Sequence, residues 1–422
     1  MAMSVSTPPL IFETAAGGER RASDGLWFGK DLSAPEPIPE QAIERAVALM
    51  RSGRLHRYGE QGSGYPEPSL LEQDYAAYVG SKYCVAVSSC GAAMFIALKA
   101  LGVKAGDKVL TSSFTLAPVP GAIAHAGAQP VLVETKADYT TDLDDLAHKL
   151  ETSGARVLLL SHMRGHITDL QAVRALCDRH GVALVEDCAH TMGAKWDGRH
   201  TGTWGQIGCY SAQTYKHINS GEGGLLVTDD DDMAAQAILM SGCYMMYEQH
   251  ILRPPNNVFE RWKYVTPNFS MRMSNLAAAL LRPQIDLLAQ RGKTWNHIYA
   301  MLGAQLCKAP GVSIPKRHSK EEFVASSFQF SLALEPAQIQ RFLQECELRG
   351  LYIKWFGGQE PKAFTSNYAH WHYITEKPVL PKSMAVMSQL LDLRTPLSLT
   401  EQDCELIGQI VATSAAIAAE HT

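Results

Sequence analysis

No CxxC pair, no basic excess, no long uncharged apolar run and no low-complexity segment occur in the 422-residue chain. Each absence removes a class of protein. The nine cysteines are odd in number and lack paired spacing, which excludes a disulfide framework and a zinc ribbon. Most lie in apolar runs, such as Cys84 in KYCVAV and Cys209 in IGCYS, where a reduced thiol packs as a small hydrophobe. Charged residues make up 19% against 46% hydrophobic, and the net charge is -5, so no basic patch recruits nucleic acid or an anionic membrane. No window reaches the roughly 18 uncharged apolar residues of a membrane span. The N-terminal MAMSVSTPPLIFETAAGGERR has no charged start followed by an apolar stretch, so a cytoplasmic location is expected.

What is present is alternation. From Lys82 onward, short apolar runs (KYCVAVSS, DKVLTSS, QPVLVET, ARVLLLSH, VALVED) alternate with segments of helical spacing such as GAAMFIALKALG and LQAVRALCDRHG. The runs are apolar throughout, as strands covered on both faces are, and the alternation predicts an α/β fold with a mostly parallel sheet between helices. WGQIGCYSAQ and GGLLVTDDD continue the sheet, the second ending in an acidic turn before a helix. Helical spacing then runs for more than thirty residues from Met273, with Pro283 as a kink or break. Beyond Gly311 the pattern becomes α+β: a strand in FVASSFQFSLAL, a helix in PAQIQRFLQECELRG, a short strand in LYIKWF, irregular chain to about residue 395, and a closing helix from Glu401. The expected organisation is an arm and helix over 1–65, a large α/β domain over 66–285 and a smaller α+β domain over 286–422.

Ligands of α/β sheets bind at the carboxyl ends of the strands. One strand leads through Ser88, Ser89, Cys90 and Gly91 into a helix, a turn that either seats a phosphate on free backbone N–H groups or is an ordinary serine cap. Another ends in Asp187, a carboxylate costly to desolvate unless a cation meets it. In YSAQTYKHINSGEGG, Ser211 precedes Lys216 and a glycine-rich turn follows. Alone, Lys216 is either a solvated charge or an amine activated to form a Schiff base. Together, lysine, strand-end aspartate, serine hydroxyl and helix start match one cofactor: pyridoxal 5'-phosphate needs a lysine for its aldehyde, a carboxylate for its ring nitrogen and a helix N-terminus for its phosphate.

The ordered series SSCGAAM, SSFTLAP, SHMRGH, VEDCAH, YSAQTYKHINSGEGG and PNFSMRMS resembles the DegT/StrS-type enzymes of pyridoxal-phosphate fold type I, mostly sugar aminotransferases, from about Gly62 to Arg282. The resemblance implies that Lys216 is the Schiff-base lysine and proton shuttle and that Asp187 keeps the ring nitrogen protonated. Ser89, Ser211 and the backbone of Cys90 and Gly91 would hold the phosphate, and His190, standing where the family has glutamine, would reach the ring hydroxyl. Asn268 would cross a homodimer interface to the neighbouring subunit's phosphate, while Arg272 reads as structural. Three departures stand out. Cys90 and Gly91 replace a glycine and threonine, Leu116 takes the place of the ring that stacks on the cofactor, with Phe114 two residues away, and SGCYMMYEQH replaces a basic stretch.

The expected activity is transfer of nitrogen from an amino acid, glutamate or glutamine, to a keto or aldehyde group of a sugar, nucleotide sugar or cyclitol-like acceptor, by a ping-pong mechanism. A dehydratase or lyase of the same fold is one alternative, although His217 only follows a retained lysine; a non-catalytic sensor is another.

Overall fold

The computed structural model describes residues 22–58, 64–358, 366–374 and 377–420. The first part of the expected arm and Gly62 lie outside them. The helix expected near residue 40 is α1 (Glu40–Ser52), closed by Gly53 in the left-handed region at φ 70°. A second helix, α2 (Glu67–Val79), follows unheralded by the pattern, because its inward face carries Ser69 and Glu72 as well as Leu71 and Tyr75. Glu72 is tolerated there because Arg57 Nη2 donates to it at 2.7 Å, His250 Nδ1 lies 3.0 Å away and the Ala86 amide donates at 2.7 Å.

The alternating region then delivers β1 (Tyr83–Val87), α3 (Cys90–Ala100), β2 (Lys108–Ser112), α4 (Pro118–His125), β3 (Gln129–Val133), α5 (Leu143–Thr152), β4 (Val157–Ser161), α6 (Leu170–His180) and β5 (Ala183–Asp187). Two short strands, β6 (Lys195–Trp196) and β7 (Arg199–His200), precede β8 (Ile207–Ser211), β9 (Gly224–Thr228) and α7 (Asp231–Ser241). The acidic turn acts as foreseen, the Asp230 side chain capping α7 by accepting from the Met233 amide. The main sheet has seven strands in the order β1-β9-β8-β5-β4-β2-β3. β2, β3, β4, β5 and β8 run parallel, whereas β9 is antiparallel to both β1 and β8. Strand periodicity divides the apolar runs between two faces: Val85 and Val87 pack with α3 and α7, while Cys84 and Ala86 face α2. Every cysteine except Cys307 is buried, as the reading of small hydrophobes requires.

After α8 (Asn256–Trp262), Pro283 breaks the long helical stretch: α9 (Asn275–Leu281) passes through a 3-10 turn, Arg282–Leu287, into α10 (Leu288–Leu306). The remaining elements are β10 (Val312–Ser313), β11 (Glu321–Glu322), β12 (Ser327–Leu332), α11 (Pro336–Glu347), β13 (Lys354–Trp355), α12 (Pro381–Gln389), β14 (Leu390–Arg394) and α13 (Glu401–Ala419). The expectation of irregular chain to residue 395 is wrong. LLDLR forms β14, an inner strand of the sheet β10-β12-β14-β13. Its buried Asp392 obscures the apolar pattern, because its partners are supplied by residues distant in sequence. Phe328, Phe330, Leu391 and Leu393 bury that sheet against α10, α11 and α13. No helix among the described residues is long and apolar enough to cross a membrane.

Candidate active site

The carboxyl ends of β1, β2, β5 and β8 lead into the residues singled out by sequence, and β4 adds Ser161. Asp187 closes β5, is buried, and has both oxygens held: Ser161 Oγ at the end of β4 donates to Oδ2 at 2.7 Å and the Ala189 amide donates to Oδ1 at 3.1 Å. Thr115 Oγ1 donates in turn to Ser161 Oγ at 2.8 Å. These two hydroxyls were not singled out by sequence, although SHMRGH and SSFTLAP contain them. Beneath Asp187 the neighbouring Glu186 accepts from the Gly202, Trp204 and Gly205 amides, each at 2.8 Å, and lies 3.1 Å from His162 Nε2. It is a strut with its acceptor sites used.

Lys216 sits in the loop that returns from β8 to β9. The return is tight: the Ala212 amide donates to Gly223 O at 2.9 Å and the Thr214 amide to Gly221 O at 3.0 Å. Its far side is lashed to the Pro283 break, where Gln284 accepts from the Asn219 amide at 3.1 Å and donates to Asn219 O at 2.7 Å. Gly224 explains the glycines that end the turn. A Cβ there would stand 2.3 Å from Ser89 C and O and 2.6 Å from Cys90 N, so β9 passes backbone to backbone under the start of α3.

Lys216 Nζ lies 3.1 Å from His190 Nε2. Burial first, and then the Arg164 charge, bring its pKa from 10.5 down to about 8, with Asp187 opposing. His190 is buried and held well below the ordinary imidazole range, by burial first and then by the Lys216 and Arg164 charges, so its ring is neutral and accepts from the lysine. His217 is buried edge-on to Trp295 and is pushed down to about 3 by burial, which removes it as a proton carrier near neutrality. Labelling of apoprotein Lys216 by an amine-selective acylating reagent is expected to be half-maximal near pH 8; a midpoint in the ordinary lysine range would refute the burial argument. Between about pH 8 and 10.5 the unfolded chain binds a proton that the folded lysine has lost, so this group's contribution to stability rises with pH across that window.

The start of α3 meets the requirements of a phosphate. Its N-cap is Ser89, whose hydroxyl accepts from the Ala92 amide at 3.0 Å, so the ordinary cap is realised and the amides ahead of it face the carboxyl edge. At Gly91 a Cβ would have only Ser89 Oγ, at 3.7 Å, within contact range, which leaves space beside the helix start. Cys90 Sγ reaches Asp187 Oδ1 at 3.8 Å, its thiol pushed well up by burial. Ser211 Oγ, at the end of β8, accepts from the Gln213 amide at 3.3 Å. The lysine with lowered pKa, the fixed carboxylate and the open helix start together fit pyridoxal phosphate.

Phe114 is packed edge-on against Phe356 and Tyr139 in a buried cluster, so the side chain left half-buried in that loop is Leu116. Asn268 is exposed and accepts from the Ser270 amide at 2.9 Å; the single chain does not bring it to Lys216. Arg272 bonds Ser270 Oγ at 3.1 Å and Gly242 O at 3.3 Å and covers the Tyr244 ring, the structural duty expected of it. Sequence reading missed Arg164 and Arg394, which act on Lys216 by charge, because one stands in an irregular loop and the other ends the unforeseen β14.

The family model described as the DegT/DnrJ/EryC1/StrS aminotransferase family matches residues 38–412. The spore coat polysaccharide biosynthesis protein SpsC of Bacillus subtilis is 31% identical over 67% of this chain and 70% of its own. A protein of Micromonospora echinospora, described as a putative L-glutamine:3-amino-2,3-dideoxy-scyllo-inosose aminotransferase, is 33% identical over 61% of this chain and 60% of its own. Among solved structures, the aminotransferase TlmJ from Streptoalloteichus hindustanus superposes with a TM-score of 0.78 at 22% identity, covering 91% of this chain and 98% of that one.

Proposed function

Because the chain belongs to the DegT/DnrJ/EryC1/StrS aminotransferase family of pyridoxal-phosphate enzymes, we propose that it moves an amino group from glutamate or glutamine to the carbonyl of a sugar, nucleotide sugar or cyclitol-like acceptor. The observation that carries this reading is the pairing of a buried lysine of lowered pKa with a fixed strand-end aspartate across one sheet edge. The relatives named for polysaccharide biosynthesis and for an inosose aminotransferase support the acceptor class.

When bound, the cofactor supplies a cationic ring that accepts the electron pair released at the donor's α carbon. Lys216 Nζ would hold the cofactor's aldehyde and would serve as the base that moves the proton at that carbon; a pKa of about 8 keeps part of it unprotonated near neutrality. Asp187, fixed by Ser161 and the Ala189 amide, holds the proton on the ring nitrogen. Ser89, Ser211 and the amides of Cys90 and Gly91 would hold the phosphate, Leu116 would lie against the ring, and neutral His190 would accept from the ring hydroxyl. We assign these roles within the organisation of arm to 65, large unit 66–285 and small unit 286–422.

A homodimer belongs to the same reading: Asn268 is exposed, its Oδ1 accepting from the Ser270 amide at 2.9 Å, and would reach a neighbouring subunit's phosphate. Sedimentation is expected to find a dimer at assay concentration; an active monomer would exclude the shared site. A cytoplasmic location accords with nine free cysteines and is checked by cell fractionation. The activity itself is tested by mixing the pyridoxamine form with candidate keto-sugars, ketocyclitols and keto acids. Return of the violet-edge absorbance with an aminated product is expected, whereas loss of water without amine transfer would establish the dehydratase alternative.

A further inference from the structure

Three strands end side by side at the candidate site, in the sheet order β5-β4-β2. Ser161 and Asp187 are partners in the parallel register of β4 and β5, so their side chains leave the sheet on the same face. Thr115 stands just beyond β2, immediately before Leu116. Thr115 Oγ1 lies 2.8 Å from Ser161 Oγ, which lies 2.7 Å from Asp187 Oδ2. All three side chains are buried, Thr115 fully. A carboxylate oxygen can only accept, so the one proton of Ser161 goes to Asp187 and a lone pair of Ser161 Oγ takes the one proton of Thr115. The chain of hydroxyls therefore has a single direction.

Other buried hydroxyls of the same sheet are spent differently. Thr111 on β2 donates to Leu159 O at 2.8 Å, and Thr228 at the end of β9 donates to Gln206 O at 2.8 Å, so the backbone satisfies both. Ser112 and Thr141, 3.1 Å apart, pair with each other, and either can donate. Thr115 and Ser161 instead pass their protons toward a carboxylate. The other contacts of Asp187 leave this one decisive for its orientation. The Ala189 amide, 3.1 Å from Oδ1, belongs to the same stretch of chain and moves with it, and Cys90 Sγ, at 3.8 Å from the same oxygen, is a weak donor. Ser161 holds Oδ2, and with it the plane of the carboxylate.

We propose that Thr115 and Ser161 are positioning residues, whose hydroxyl chain aims the Asp187 carboxylate at the cofactor's ring nitrogen and ties it to the loop that carries Leu116. The proposal rests on the aminotransferase reading and on the role of Asp187 within it. A carboxylate free to turn spends part of its time off the line to the nitrogen, and hydrogen bonds weaken steeply as they bend. Thr115 contributes direction and stiffness. Its branched Cβ restricts χ1, and its proton occupies Ser161 Oγ so that the serine keeps its own proton on Asp187. Two groups expected to grip the ring, Asp187 and Leu116, are thereby held in one register by strand ends that pair directly.

The test loads wild-type and variant proteins with cofactor isotopically labelled at the ring nitrogen and reads its magnetic resonance shift, which reports the proton on that nitrogen and requires no turnover. Asp187→Asn defines the shift of a nitrogen without its partner. Ser161→Ala is expected to move the shift about halfway to that value or further, and to lower kcat about tenfold with KM for glutamate changed less than about twofold, the scale of one hydrogen bond to a charged group. Thr115→Val, isosteric but without the hydroxyl, should move the shift the same way by less, whereas Thr115→Ser should hold the wild-type value. The double variant Thr115→Val with Ser161→Ala should be no worse than Ser161→Ala alone, because a chain already broken at Ser161 transmits nothing from Thr115. Effects that multiply would overturn the relay, as would a wild-type shift in Ser161→Ala. An equal change in Thr115→Ser and Thr115→Val would assign the effect to packing and overturn it as well. If Ser161→Ala fails to fold, the shape-preserving Thr115→Val decides, and a wild-type shift there overturns the proposal. A wild-type holoenzyme that already shows the Asp187→Asn shift would instead defeat the role of Asp187 itself, and the functional reading with it.

Discussion

Lys216→Ala is expected to lower turnover by at least about 10⁴-fold, the upper end of what a positioned proton-transfer group contributes. On the proposed assignment the enzyme loses both the amine that anchors the aldehyde and the base that moves the proton, and neighbouring groups cannot take over. His190, at 3.1 Å, is the nearest candidate, but burial and two adjacent cations keep it from holding a proton near neutrality. His217 is pushed down to about 3 and faces Trp295. Borohydride treatment of the wild-type holoenzyme should fix the cofactor on Lys216, with mass spectrometry locating the adduct. An adduct on any other lysine would sink the assignment, as would an alanine variant with substantial turnover.

Asp187→Asn separates binding from chemistry. The amide is isosteric, its oxygen can still accept from Ser161, and Lys216, Ser211 and the amides at the start of α3 are unchanged, so the cofactor should be retained and its absorbance measurable. What is lost is the negative charge proposed to hold a proton on the ring nitrogen. A fall of about 10²- to 10³-fold in turnover is expected, on the scale of one lost preorganised electrostatic partner. Full activity with bound cofactor would refute the role of Asp187.

These two residues were legible in the sequence because Asp187 ends the unmistakable apolar run VALVED and Lys216 follows the run IGCYS by five residues, ahead of a glycine-rich turn. Strand order and the antiparallel course of β9 were not legible, since pairing is decided between segments far apart in the chain. β14 stayed hidden because Asp392 interrupts LLDLR, and its acceptability depends on Arg164 and Gln329, which no local window contains. Ser161 and Thr115 escaped for a similar reason: a hydroxyl in a strand-end motif becomes informative only when its acceptor is known to be Asp187. Glycines were the opposite case. The glycine-rich turn after Lys216 was visible in the sequence, and Gly224 against Ser89 and Cys90 shows the close approach that requires it.

The edge position of β1 has a consequence for the order of assembly. Within the sheet β1 pairs with β9 alone, and β9 begins at Gly224. During synthesis the first strand therefore waits, with its apolar residues unmatched, until the chain has been made past Thr228, while β2, β3, β4 and β5 can already associate in parallel. The loop carrying Lys216 and the helix start proposed to seat the phosphate are then brought together in a single late docking event. A chain truncated before residue 224 would possess the aspartate and the lysine yet have no seat for the phosphate beside them.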